Sequence, residues 1–119
     1  VTGFSKRTKE LVFLRSGGRC ERCGVIRTRV EYHHRRPRGS GGSRASDTNG
    51  AANCVLLCIY CHRDVESYRE AAIDFGFVVR QGKKPAEIPL RRHKKWVLLD
   101  DFGYVTPVDN WVSVVGGGA

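Results

Sequence analysis

"NCVLLCIYCHRDV", residues 53–65, changes character twice in thirteen positions. It opens as an apolar run, Cys54 to Cys58, rich enough in β-formers to predict a strand. A C-x-x-C turn at Cys58 and Cys61 follows. From there "CHRDVESYREAAIDFG" takes helical spacing, with Val65, Tyr68 or Arg69, and Ala72 or Ile73 on one side and Gly76 as a stop. His62 and Glu66 lie four apart, on one helical face.

Working outward, the cysteine pair has a counterpart. Cys20 and Cys23 form a second C-x-x-C, inside "CERCG", a tight turn ending in a glycine. Tetrahedral zinc wants four soft ligands, and two such turns facing each other close its shell. An odd count of five cysteines argues against a disulfide framework and for metal. We therefore expect a structural Zn²⁺ on Cys20, Cys23, Cys58 and Cys61, with Cys54 a small core residue.

Before the first pair, "FSKRTKELVFLRSGG" reads as a helix with Ser5 or Thr8 as N-cap, Leu11 with Leu14 or Val12 on its buried side, and Gly17-Gly18 as its end. Between the pairs, "RTRVEYHH" alternates as a strand with Val30 and Tyr32 on one face, and Pro37 limits its run. It ends in adjacent histidines, His33 and His34, a pair that by itself reads more readily as solvated surface than as a site. Residues 35–52 form a long loop rich in Gly, Ser and Arg.

Charge is uneven. Residues 1–44 carry twelve Lys and Arg against three Glu, whereas residues 45–119 are balanced nine against nine, so the whole excess of +9 lies in the first part. So concentrated a field suits a polyanion, most commonly nucleic acid. No stretch approaches the ~20 apolar residues of a membrane span, and "VTGFSKRTKE" lacks the apolar centre of a secretory signal, so a cytoplasmic protein with no membrane role is expected.

Taken together, "HHRRPRGSGG" and "NCVLLCIYCH" resemble the HNH endonuclease family in its zinc-tethered branch. That family's ββα-metal motif has a first strand ending in a histidine with a proline close behind, a Gly-rich loop, an asparagine near the second strand and a histidine opening the helix. Here His34, Pro37, Gly41-Gly42, Asn53 and His62 stand in those places, and the last cysteine directly precedes the helix histidine. Asn49 is the competing asparagine, at an offset that fits less well. The match covers roughly residues 4–70. The basic helix and the tail also look like small phage-encoded members.

The resemblance implies an α+β fold: a ββα-metal (His-Me finger) core stapled by the four-cysteine zinc site, with an N-terminal helix and a small C-terminal β extension. One domain of 119 residues is expected, divided into the basic helix (1–19), the core (20–75) and the extension with its tail (76–119). It also implies a metal-dependent DNA endonuclease that nicks or cuts both strands and leaves 5′-phosphates. In it His34 is the general base, Asn53 an orienting residue, and His33 and His62 ligands of one catalytic divalent ion. An imidazole with a pKa near ~6.5 suits the base.

Where relatives place a third helix ligand, this chain has Glu66. It is either a metal ligand favouring harder ions such as Mg²⁺ or Mn²⁺ over Ni²⁺ or Zn²⁺, or a solvated helix residue. Arg35, Arg36, Arg38 and Arg44 in the loop, with Lys6, Arg7 and Lys9 on the first helix, are the expected phosphate contacts. The rival reading is a non-catalytic, zinc-dependent DNA-binding module. A homodimer or a phage packaging partner stays open. Short strands are expected around 77–80, 95–99 and 103–106, with a turn at "DDFG".

Overall fold

A computed structural model of the chain describes residues 3–38 and 45–108. Helix α1 runs Lys6–Ser16. Ser5 caps it, its hydroxyl accepting from the Thr8 N–H at 3.1 Å, and Gly17 ends it with φ +65°, a left-handed turn that glycine enters without penalty. Val12 is the apolar side chain that α1 buries, whereas Leu14 is 78% exposed. Of the two expected partners of Leu11, Val12 is thus the inward one.

Strand β1 (Val30–His34) pairs antiparallel with β2 (Cys54–Cys58), His34 opposite Cys54 and Val30 opposite Cys58. Every residue of β2 is buried, because both its faces are covered. Cys54 and Leu56 pack with Phe4, Val12 and Ala51, while Val55 and Leu57 pack with Val65, Ala72, Phe77 and Leu90. The strand's period of two sorts these sets.

Helix α2 (Ile59–Ser67) starts directly from β2, and α3 (Arg69–Asp74) follows after a bend at Tyr68, where φ and ψ are −117° and 61°. The single helix expected over 61–76 is therefore two. Beyond the bend α3 ends against the C-terminal sheet: the Arg91 N–H donates to Phe75 O, and a Cβ at Gly76 would collide with the Pro89 carbonyl. Tertiary packing overrides helical periodicity here.

In the stretch expected as a strand at 77–80, Phe77, Val78 and Val79 are buried but the backbone is irregular. The Phe77 and Val78 N–H groups close the end of α3 on Ala72 O, and the Val79 N–H donates to Arg35 O, so helix end and loop satisfy the backbone that a neighbouring strand would have served. A three-stranded antiparallel sheet completes the fold: β3 (Leu90–Arg92), β4 (Lys95–Leu99) and β5 (Val105–Pro107) in that order. β3 went unexpected because three residues carry little period. Its hairpin turn, His93-Lys94, has both residues at positive φ, the handedness a two-residue hairpin favours.

A buried carboxylate locks the pieces together. Glu21 accepts from Arg15 at 2.6 and 2.9 Å, from Arg92 at 3.0 Å and from the Leu56 N–H at 3.0 Å, joining α1, the first cysteine turn, β2 and β3. The result is a small compact α+β protein.

Candidate functional site

Two centres emerge, one of sulfur and one of imidazole. The Sγ atoms of Cys20, Cys23, Cys58 and Cys61 lie within 4.8 Å of one another, a group that could hold a structural metal such as zinc. Each C-x-x-C turn is preset by its own backbone: the Cys23 N–H donates to Cys20 Sγ and the Cys61 N–H to Cys58 Sγ. Burial raises the Cys20 pKa, but the N–H groups of Cys23, Cys58 and Arg22 outweigh it and bring the thiol down to about 7. Arg22 donates to Cys61 Sγ at 3.3 Å and also pairs with Asp64. Cys54 stands apart in the core, its thiol pushed up to about 12 by burial.

Strand alternation explains the adjacent histidines. Glu31 and His33 share the β1 face turned to α2, and His34 shares the other face with Val30 and Tyr32. Accordingly the His33 ring meets His62 edge-on, 5.1 Å between centroids, while the His34 ring stacks on Phe4 at 3.9 Å. Both histidines still line one open cleft of about 330 Å³, together with His62, Glu66, Arg38 and Arg69.

The rings of His33 and His34 each have a partner that sets the free nitrogen. His33 Nε2 lies 3.1 Å from Phe77 O, an acceptor only, so this nitrogen carries the proton and Nδ1 keeps its lone pair. Burial, then the neighbouring His62, pulls the His33 pKa down to about 4, which keeps the ring neutral. His34 Nε2 lies 2.8 Å from Asn49 Oδ1, which again leaves Nδ1 free, and burial lowers its pKa too. His62 stands between two carboxylates, Nδ1 2.8 Å from Glu31 and Nε2 3.1 Å from Glu66.

Asn53 is wholly buried. Its Oδ1 accepts from the Arg36 N–H at 2.7 Å, and its Nδ2 donates to Arg36 O and Thr48 O. It clamps the two ends of the loop that follows His34, and the group bonded to the imidazole itself is Asn49, which the spacing ranks second.

The basic residues divide. Arg35, expected on the duplex, is 0% exposed, its guanidinium donating to the carbonyls of Gly76, Ala52, Pro85 and Ile88. Arg36 is likewise turned inward, onto Asp47, Thr48 and Lys83 O. Neither is placed to meet a phosphate: a side chain following β1 alternates into the core as readily as out of it. Arg38 does line the cleft, and Lys6, Arg7 and Lys9 lie at the start of α1 away from the core, Lys9 over the Tyr32 ring at 5.6 Å. Arg44 lies outside the described residues.

No protein-family model matches the chain, and no curated protein matches it. Among the described residues no helix is long and apolar enough to cross a membrane.

Sequence reasoning missed Glu31, Phe4 and Arg69. For Glu31 the signal was present, since period two puts it on the face of His33.

The residues fit a divalent cation by their chemistry. His33 and His62 are imidazoles whose second nitrogens bond to a carbonyl and a carboxylate, the arrangement usual behind metal-binding histidines, and Glu66 adds an oxygen beside His62. Among the described residues the four cysteines are the only set of three or more such side chains whose ligand atoms gather closely enough to hold a metal; His33, His62 and Glu66 share the cleft more loosely.

Proposed function

We propose that this chain is a metal-dependent DNA endonuclease of the HNH type, built on a ββα-metal core with a structural zinc. One observation carries the reading: β1 and α2 bring His33, His34 and His62 to a single cleft, with His34 held neutral and its Nδ1 free. A passive DNA-binding module has no use for such an arrangement.

In this reading a water in the cleft gives its proton to His34 Nδ1 as its oxygen attacks the phosphorus, and the bond to the 3′ oxygen breaks, leaving a 5′-phosphate. Asn49 holds Nε2 and Phe4 the ring plane, so the base meets the water in one orientation. His33, His62 and Glu66 would hold the cation, and Glu31 orients His62 from behind. A divalent ion bound there supplies charge stabilisation to the phosphate and the departing oxygen. Arg38 and Arg69 from the cleft, with Lys6, Arg7 and Lys9 beside it, position the backbone without reading bases. One such site cuts one strand at a time.

The test is supercoiled plasmid incubated with purified protein and Mg²⁺, Mn²⁺, Ni²⁺ or Zn²⁺ in turn, alongside His34→Ala checked for folding by circular dichroism. Nicking by wild type and not by the folded variant supports the nuclease. Retardation of DNA by both proteins, with cleavage by neither under any metal, sinks it in favour of the binding module.

A further inference from the structure

The candidate cleft has a neighbour. Segment 79–83 is strapped to the loop behind His34 by three hydrogen bonds: Val79 N–H to Arg35 O at 2.7 Å, Gln81 Nε2 to Pro37 O at 2.7 Å, and Arg36 to Lys83 O at 2.7 Å. The strap brings Lys83 and Lys84, from the charge-balanced part of the sequence, to the same loop whose other side, Pro37 and Arg38, walls the imidazole cleft. Between them opens a shallow depression of about 520 Å³, lined chiefly by Arg36, Ser46, Asp47, Gln81, Lys83 and Lys84.

Its charge is positive for a definite reason. Arg36 and Asp47 pair with each other, so they cancel. Lys84 is close enough to help hold the Asp47 carboxyl below its ordinary pKa, but neither lysine ammonium makes a hydrogen bond among the described residues. Two exposed cations on long stems remain, with the Ser46 hydroxyl and the Gln81 carboxamide beside them. Open shape and mobile point charges suit a passing phosphate chain better than a small ligand needing enclosure.

We infer that this depression is a phosphate-backbone contact for the DNA strand that runs through the imidazole cleft, with Lys83 and Lys84 as its cations. The inference rests on the nuclease reading for the identity of the strand, and on the geometry above for its path. Such contacts give affinity through counterion release and carry no base preference.

The experiment is binding of a fluorescein-labelled duplex, read by anisotropy over about 50 to 200 mM NaCl, a range in which phosphate contacts show clearly. Every protein carries His34→Ala so that the duplex stays intact. Lys83→Gln with Lys84→Gln is compared with its parent and with Lys94→Gln/Lys95→Gln, which removes the same charge from the β3–β4 hairpin, outside the lining of the depression. The expected result is a slope of log K against log salt shallower by about 1.8 for the first pair, about 0.9 per contact, and little changed for the second.

An unchanged slope for the first pair, an equal loss for both pairs, or no binding by the parent overturns the inference. Cleavage by the wild type separates it from the nuclease reading. A wild type that cuts while the slope stays unmoved removes this contact alone. A shallower slope in a protein that never cuts keeps the contact and removes the nuclease.

Discussion

The ring of Phe4 lies nearly parallel to that of His34, with 3.9 Å between centroids and 17° between planes. Phe4 sits just ahead of the α1 cap and is 8% exposed, packed with Val12, Ala51, Cys54 and Leu56. The stack therefore joins the candidate base to the core through the N-terminal segment. Phe4→Ala should cost about 3 kcal/mol of stability, as removal of a buried ring does. Phe4→Leu, which keeps most of the volume but not the flat face, should stay folded and cut about tenfold more slowly at saturating DNA, since even a small misplacement of a reacting group slows the step. A thermal melt and a single-turnover rate measure the two effects separately.

His62 with Glu31 behind it gives a second expectation. Glu31→Gln removes the carboxylate partner of Nδ1 at 2.8 Å without removing a hydrogen-bonding group. The divalent-metal concentration for half-maximal cleavage should rise about 10- to 100-fold, the usual effect of losing such a partner, with a smaller change in rate at saturating metal. An unaltered metal requirement would show that Glu31 does not serve the ion.

The two asparagines should respond differently. Asn53→Ala removes three buried hydrogen bonds, one from the Arg36 N–H and two to the Arg36 and Thr48 carbonyls, and about 3 kcal/mol of destabilisation is expected. Asn49→Ala removes the hydrogen bond to His34 and leaves the loop clamp intact. It should melt close to wild type while cleavage falls, a contrast read by denaturant titration beside plasmid nicking.

Zinc should be required for the fold as a whole. The four sulfurs join the turn after α1 to the start of α2, and structural zinc binding in small domains contributes on the order of 10 kcal/mol. Cys58→Ser, or a strong chelator, should abolish the cooperative thermal transition seen by circular dichroism. Elemental analysis of the wild type should find tightly held zinc.

Acid should loosen the loop that the Arg36–Asp47 pair holds. The Arg36 guanidinium, by its hydrogen bond first, holds the Asp47 carboxyl below the ordinary range. Because the folded pKa lies below the unfolded value near ~3.9, the pair's stabilisation is complete above that value and drains away as pH falls through the folded one. Asp47→Asn should flatten that part of the stability-against-pH curve, measured by urea unfolding at a series of acidic pH values, and leave the neutral part of the curve similarly shaped.

What the chain discloses on its own is what depends on local spacing. Ser5 and Gly17 bound α1 because caps act within a turn, the C-x-x-C pairs bring their sulfurs together by short-range geometry, and Val55 and Leu57 on one side with Cys54 and Leu56 on the other follow from the period of a strand. Only the tertiary structure decided the rest, because it depends on groups far apart along the chain. Arg35 and Arg36 read as surface cations until carbonyls some fifty residues on, Pro85, Ile88 and Lys83, draw them inside. Asn49 rather than Asn53 reaches His34 because Asn53 is already consumed by the loop it clamps. Burial of a polar group is tolerated only where distant partners satisfy it, and no local pattern records which partners those will be.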